Sequence, residues 1–191
     1  MTALYRNGWT HGIDHDVAAL FATVDEQWLD TIAEWDDALA RPRATFAMAL
    51  IMSIALARGR VRWAWSVPLL IVVTAFIELL FKVGIRQVFH PGELVRAASE
   101  LLGVRYDAGA PFPSGHVART TFLAVVAAML TPRWSTAALV AFAAVTCLAR
   151  IYIGAHHLTD VLGGVALGAF VAAAGLWSRA VVAGRAGADT R

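Results

Sequence analysis

Residues 63–81 read WAWSVPLLIVVTAFIELLF, a stretch of nineteen residues with one charged side chain, Glu78. A helix needs about 20 predominantly apolar residues to cross a bilayer, and about 17 suffice at the short end. A buried helix of a soluble protein would keep a polar face, and this stretch has none. It therefore predicts a transmembrane helix and sets the class of the whole chain.

Four further apolar runs repeat this pattern, and Arg119 is the one charged residue among them. The chain is 59% hydrophobic, with a mean hydropathy of +0.62, which is far above the average of soluble domains. We therefore predict an all-α, polytopic membrane helix bundle of about five spans within residues 44–180. The four runs are 44–57, 117–130, 134–149 and 161–177, of which the first two need flanking residues to cross.

Residues 1–43 are more polar than the rest of the chain. Apolar residues recur at helical spacing between Val17 and Trp35, and acidic residues such as Asp30 and Glu34 lie opposite them. This pattern predicts an amphipathic helix at the membrane interface. A helix packed on the spans would show the same pattern. We take 1–43 as an N-terminal amphipathic segment and 181–191 as a short C-terminal tail.

The arginines predict the orientation in the membrane. Five spans place seven arginines and one acidic residue on the side of the C-terminus, and 13 of the 14 acidic residues on the other side. The side on which arginines outnumber acidic residues is expected to be cytoplasmic. The chain is thus expected to be integral to the cytoplasmic membrane, with its polar clusters on the extracytoplasmic face. A net charge of +2 and the lack of a recognition motif give no reason to expect nucleic-acid binding.

Three polar clusters meet on that outer face. In the first, Glu78, Lys82 and Arg86 follow one another at intervals of four, so they share one face of a helix. Lys82 is the only lysine in the chain. Taken alone, the cluster is best explained by a lysine that reaches toward the interface and pairs with Glu78.

The second cluster is Pro113-Ser114-Gly115-His116, directly before an apolar run. This order predicts a helix start with Ser114 as N-cap. The free amides of a first helical turn bind anions, and Gly115 lets a ligand approach the backbone. His116 and Arg119 lie on the same side. The alternative is an ordinary capped helix with a surface histidine.

The third cluster is RIYIGAHHLTD, residues 150–160, between two apolar runs. Arg150 suits a helix C-terminus, and Asp160 is close enough to His156 to fix its tautomer. Alternatively, Asp160 is the N-cap of the last span, or His156, His157 and Asp160 bind a metal ion. Adjacent histidines on a helix diverge by about 100°, so we expect no metal. Cations, helix amides and two histidines on one face together suit a phosphate group.

These residues resemble the type 2 phosphatidic acid phosphatase (PAP2) superfamily of membrane lipid phosphatases. The second family motif, Pro-Ser-Gly-His, is present at residues 113–116. The third, an arginine, five residues, a histidine, three residues and an aspartate, is matched by Arg150, His156 and Asp160, although Ala149 stands where the family has serine. The resemblance covers about residues 78–177.

The first family motif, a lysine followed after six residues by Arg-Pro, departs here. Counting from Lys82 leads to Phe89 and His90, and proline arrives one residue late, at Pro91. One phosphate-binding arginine is therefore unassigned. Arg86 is the nearest candidate, and His90 is the second.

The resemblance implies a metal-independent, cofactor-free phosphatase that works through a phosphohistidine. His156 would be the nucleophile, oriented by Asp160, and His116 would protonate the leaving oxygen and then activate water. His157 has no role. The substrate oxygens would be held by Lys82, Arg150, Ser114, the Gly115 amide and Arg86, with Arg119 either at a second phosphate or paired with Glu78.

The substrate implied is a lipid phosphate: phosphatidic acid, phosphatidylglycerol phosphate, or a prenyl phosphate or diphosphate. Helical spacing of Leu94, Ala98, Leu101 and Leu102 predicts an interfacial helix beside the entrance. A non-enzymatic lipid-phosphate binder or transporter is the alternative, but it would need the cations without the pair of histidines and the aspartate. The sequence does not indicate an oligomeric state.

Overall fold

The computed structural model describes residues 11–24, 26–61, 63–84, 100–101, 104–105 and 112–188. Its regular structure is almost entirely helical, as predicted. The helices are α1 (His11–Ala22), α2 (Gln27–Ala40), α3 (Pro42–Arg58), α4 (Ser66–Gly84), α5 (Gly115–Leu130), α6 (Arg133–Tyr152) and α7 (Leu158–Ala188). Two short strands, β1 (Glu100–Leu101) and β2 (Val104–Arg105), pair in antiparallel fashion.

Each of the five apolar runs forms a helix, but the helices differ in length. Within the described residues, α4, α6 and the Leu158–Ser178 part of α7 are long and apolar enough to cross a membrane. Helices α2 and α3 qualify together as a fourth span that is bent by 63°. Helix α5 has 16 residues and is about 24 Å long at 1.5 Å per residue. Three or four spans are thus long and apolar enough to cross a membrane, and the fifth stays a prediction.

The outer surface of the bundle is apolar. Large side chains on α4 and α7 point away from the other helices: Leu69 is 62%, Phe76 59% and Phe170 68% exposed. A water-soluble protein rarely leaves so large a continuous apolar surface uncovered. These faces therefore contact the hydrocarbon core of a membrane.

Helix α5 lies at the centre of the bundle, and eleven of its sixteen residues are buried. It crosses α7 closely because α7 carries Gly164 and Gly168 at the contact. A Cβ added at Gly164 would lie 2.6 Å from the Ser114 carbonyl oxygen, and one at Gly168 would overlap the Ala118 carbonyl oxygen. Small residues four apart are a common means of close helix contact in membranes. This crossing fixes the start of α5 against the start of α7.

The N-terminal segment forms two helices instead of the single amphipathic helix predicted, because the chain leaves helical geometry between α1 and α2. Both helices pack on the bundle through acidic side chains. Asp14 of α1 accepts hydrogen bonds from the backbone N–H and the hydroxyl of Thr159, at 3.0 and 2.7 Å. On α2, Asp30 accepts one from the Tyr152 hydroxyl at 2.9 Å.

Helix α2 therefore combines the two alternatives that the sequence left open. Its face with Ala33 and Ala40 is buried against the bundle, whereas Trp28 and Trp35 are 60% and 68% exposed. Tryptophan is typical of the membrane interface. The helix is thus packed on one side and open to the surroundings on the other.

The helix predicted beside the entrance is wrong at Leu101, which belongs to strand β1. Strand pairing with β2 replaces helical hydrogen bonding at this residue. The other residues on which that prediction rested, Leu94, Ala98 and Leu102, lie outside the described residues.

Candidate active site

The second and third clusters are joined by a backbone hydrogen bond. Ser114 N–H donates to the Asp160 carbonyl oxygen at 3.0 Å, which is the direct result of the α5–α7 crossing. Ser114 takes the N-cap position of α5 with extended backbone, as predicted, but its side chain makes no capping hydrogen bond. Its Oγ is buried and has no hydrogen-bond partner within the described residues. The hydroxyl is therefore available to a ligand.

A tight turn places His156 beside the end of α6. Gly154 has a φ of 68°, a left-handed conformation that glycine adopts without a steric cost and that ends many helices. After this turn the His156 N–H donates to the Arg150 carbonyl oxygen at 3.2 Å. The five residues between Arg150 and His156 are thus the length of chain that returns the histidine to the arginine.

Asp160 lies in the first turn of α7, where it faces both histidines. Its Oδ2 accepts a hydrogen bond from the backbone N–H of His157 at 2.9 Å and lies 3.8 Å from Nδ1 of His156. Asp160 is the third residue of α7 and so is not its N-cap residue, the alternative considered from the sequence. Its carboxylate bonds the N–H of the residue before the helix and also faces the ring of His156. The separation from Nδ1 is longer than a hydrogen bond, and such contacts commonly tighten when substrate binds.

The environment of His156 favours its neutral form. Burial lowers the pKa of His156 below its usual value of 6.5, and the neighbouring Lys82 and Arg150 act in the same direction. The Asp160 carboxylate opposes them without reversing the shift. A neutral imidazole is the form that can attack phosphorus.

Glu78 joins Lys82 to Arg119. Lys82 Nζ and Arg119 Nη1 each donate to one oxygen of the Glu78 carboxylate, both at 2.7 Å. A Cβ at Gly115 would overlap this carboxylate, so Glu78 lies directly against the N-terminus of α5. Both pairings with Glu78 were among the alternatives considered from the sequence.

Arg150 is almost completely buried and faces two carboxylates of α2. Its Nη1 donates to Asp37 Oδ1 at 2.8 Å, and its Nη2 lies 3.7 Å from Asp36 Oδ2. Asp37 Oδ1 also lies 3.5 Å from His116 Nε2, and Thr146 donates to Asp36 Oδ1 at 2.7 Å. Neither aspartate was predicted as a site residue, because acidic residues on an amphipathic helix are typical of a solvated face.

Several buried polar atoms converge here without a hydrogen-bond partner among the described residues. Buried polar groups are almost always satisfied, so such a group of atoms indicates a site for a polar ligand. The atoms on the predicted binding and catalytic residues are Ser114 Oγ, His116 Nε2, Arg119 Nε, Arg150 Nε and Nη2, His156 Nδ1 and Asp160 Oδ1. The two histidine nitrogens among them face the carboxylates of Asp37 and Asp160.

The structure brings together most of the predicted site residues. Arg86 and His90, the two candidates for the missing arginine, lie outside the described residues. Among the residues that are described, no three His, Cys, Asp or Glu side chains are grouped so as to hold a metal ion. The trio His156, His157 and Asp160 is thus not arranged as a set of metal ligands.

Comparison with known protein families shows which family the chain belongs to. The sequence model of the PAP2 superfamily matches residues 87–182, which is half of the chain. This chain belongs to the PAP2 superfamily. The match contains both the Pro-Ser-Gly-His cluster and the Arg150–Asp160 cluster, and it excludes the N-terminal helices that carry Asp36 and Asp37.

The PAP2 fold is also found by comparison with solved structures. The chain is similar to the crystal structure of a transmembrane PAP2 type phosphatidylglycerolphosphate phosphatase from Bacillus subtilis, with a TM-score of 0.62 and 20% sequence identity. The similarity covers 90% of this chain and 86% of that one. No curated protein sequence matches the chain at a significant level. Family membership and fold together support a membrane phosphatase that acts on a lipid phosphate.

Proposed function

We propose that this PAP2 protein hydrolyses a lipid phosphate through a phosphohistidine intermediate and without a metal ion. The observation that carries the proposal is the convergence of His156, His116 and Arg150. Their chain segments are held together by the hydrogen bond from Ser114 N–H to the Asp160 carbonyl oxygen. Binding a phosphate requires cations alone, whereas two histidines and an aspartate at the same place suit its chemical transfer.

In the first step, His156 attacks phosphorus. Its Nδ1 faces Asp160, which leaves Nε2 as the attacking atom. As the bond from nitrogen to phosphorus forms, the bond from phosphorus to the lipid oxygen breaks, and His116 gives a proton to that oxygen. Asp160 stabilises the positive charge that develops on the His156 ring.

In the second step, water releases the phosphate. His116, now neutral, takes a proton from the water as its oxygen bonds to phosphorus. The bond to His156 breaks, and the imidazole regains its electron pair. Throughout, Lys82, Arg150, the Ser114 hydroxyl and the Gly115 amide hold the phosphoryl oxygens, whose charge is what catalysis of phosphoryl transfer must accommodate. Arg86 supplies a third cation.

The surroundings of the site favour a substrate with an apolar tail. An open groove of about 260 Å³ lies between α3 and α4, lined by apolar side chains including Phe46, Ile71 and Val72, and by Arg43 and Arg119. In this proposal the acyl or prenyl chain of the substrate lies along this groove. Phosphatidic acid, phosphatidylglycerol phosphate, and prenyl phosphates or diphosphates all have this chemistry.

In this proposal the protein lies in the cytoplasmic membrane with its site on the extracytoplasmic face and its C-terminus in the cytoplasm. The support is the predominance of arginine over acidic residues on the side of the C-terminus, where seven arginines stand against one acidic residue. The exposed tryptophans of α2 then lie at the outer interface, where substrate headgroups are found.

The proposal is tested by phosphate release from a panel of lipid phosphates, with purified protein in detergent and with EDTA present. We expect turnover of at least one lipid without an added divalent ion, because cations and helix amides already supply the positive charge. Activity that is lost in EDTA and restored by Mg²⁺ or Zn²⁺ would overturn the metal-free mechanism. Tight binding of lipid phosphates with no phosphate release would instead identify a binding or transport protein.

A further inference from the structure

Helix α2, which lies outside the residues matched by the family, contributes a carboxylate to the site. Asp37 uses its two oxygens differently. Oδ2 accepts two hydrogen bonds from Arg41, at 3.0 and 2.8 Å, whereas Oδ1 is directed to Arg150 at 2.8 Å and to His116 at 3.5 Å. Arg41 thus holds the carboxylate from the side away from the two site residues, and its position does not depend on a ligand.

The charges around His116 explain why a carboxylate is needed beside its ring. Burial disfavours a protonated His116 ring, and so do Arg150 of α6, Arg119 of α5, the imidazole of His156 and Lys82 of α4. Positive charges disfavour a protonated histidine, and a nearby carboxylate favours it. An acid that must give its proton to a lipid oxygen has to begin the reaction protonated. The Asp37 carboxylate, 3.5 Å from Nε2, acts on the ring in the direction that this requires.

We propose that Asp37 is a positioning residue for His116, holding the ring in place and stabilising its protonated form for transfer of the proton to the leaving oxygen. This inference rests on the proposed function. Because Asp37 faces Nε2, Nδ1 is the ring nitrogen left to give its proton to the leaving oxygen. Asp37 itself forms no bond to the substrate, and its bond to Arg150 fixes the guanidinium at the same time.

The test uses the dependence on the leaving group, since only a poor leaving group needs an acid. Two synthetic phosphate monoesters carry the same alkyl tail, one as the ester of an aliphatic alcohol and the other as the ester of a nitrophenol. Asp37→Asn is expected to lower kcat/KM on the aliphatic ester by about 10²-fold, the lower end of the range for general acid catalysis. On the nitrophenyl ester we expect a loss of less than about tenfold.

The matched control is Glu34→Gln, which removes the same charge from an exposed position of α2 and should leave both esters near wild type. A second measurement adds Asp37→Asn to a His116→Ala background, where it should cause little further loss on the aliphatic ester, because residues that act as a unit are not additive. Asp37→Ser replaces the amide variant if thermal unfolding shows that the latter is not folded.

Equal losses on the two esters would overturn the proposal, because Asp37 would then act through Arg150 or through the fold alone. A lower KM and faster turnover in Asp37→Asn would also overturn it, by showing that the carboxylate occupies the place of the phosphate and has to be displaced. Wild-type protein that is inactive on both esters would refute the proposed function, and this outcome is distinct from both of the others.

Discussion

At the scale of single residues, the site is built from charged pairs that a phosphate must join or separate. Glu78 forms ion pairs with both Lys82 and Arg119, and Asp37 forms one with Arg150. Each of these three cations therefore already has a carboxylate partner. Binding a phosphate dianion consequently requires further positive charge or the release of one of these pairs.

This charge balance strengthens the prediction for Arg86. If α4 continued past Gly84, Arg86 would stay on the face of Lys82, whereas His90 precedes Pro91, where helix is disfavoured. We expect Arg86→Ala to lower kcat/KM on a lipid phosphate by about 10²-fold or more, the scale of one lost transition-state donor. Arg86→Lys should recover only part, because an ammonium group cannot make a bidentate contact. Near-normal activity in Arg86→Ala with a large loss in His90→Ala would reverse the assignment.

The neutral state of His156 predicts the acid side of the pH profile. Burial lowers its pKa below 6.5, so the ring stays neutral, and able to attack, at pH values where an ordinary histidine is protonated. Activity should therefore fall only as the pH drops through this lowered pKa, and the acid limb of kcat/KM should have its midpoint below pH 6.5. The profile is measured with two substrates whose phosphates ionise at different pH values. The limb that does not move between the two substrates belongs to the protein. A protein limb on the alkaline side of 6.5 would contradict the assignment.

At the scale of helices, the sequence was informative wherever apolar runs and helix ends carry the signal. The five runs all became helices, and Ser114 stands at the N-cap position because proline before it and apolar residues after it define a start. The close contact of Gly164 and Gly168 with α5 depends on how two distant helices cross, so spacing within one helix did not settle it.

The main feature of the site that was not predicted from the sequence is the role of α2. Asp36 lies between Ala33 and Ala40 on the one buried face of the helix, and Asp37 lies beside it, partly buried. Small residues at helical spacing on both sides of an acidic pair indicate a packed face, and this was the signal available. The larger apolar stripe of Trp28, Ile32 and Trp35 was the stronger signal, because the most apolar face of a helix normally packs inward. In a membrane protein this face can point outward instead.

The α5–α7 crossing predicts an asymmetric effect of two alanine substitutions in α7. At Gly168 a Cβ would overlap the backbone carbonyl of Ala118, which cannot move alone, whereas at Gly175 it would meet the end of the Leu70 side chain. We expect Gly168→Ala to cost about 1–3 kcal/mol of stability and to lower activity about ten- to a hundredfold by displacing the catalytic groups. Gly175→Ala, the control, should change both the thermal unfolding temperature and the kinetic constants only slightly. Equal effects of the two substitutions would show that the α5–α7 crossing does not position the site.

At the scale of the whole molecule, the orientation in the membrane determines which leaflet supplies the substrate. A single cysteine at Ala108, in a Cys147→Ala background, is expected to react with an impermeant maleimide in intact cells, because residues 82–113 are predicted to lie on the side that carries 13 of the 14 acidic residues. A cysteine introduced at Arg60, in the arginine-rich loop, should react only after lysis. The reverse pattern would place the site in the cytoplasm.

Whether His156 carries the phosphoryl group can be measured by trapping the covalent intermediate. Purified protein is mixed with a lipid phosphate labelled in its phosphate with ³²P and is quenched in alkaline detergent, because phosphohistidine survives base and is lost in acid. Wild-type protein is expected to carry an acid-labile label on a peptide containing His156, with none in His156→Ala and clear labelling in His157→Ala. Phosphate release by wild-type protein without any labelled protein, or a label that persists in His156→Ala, would contradict the account.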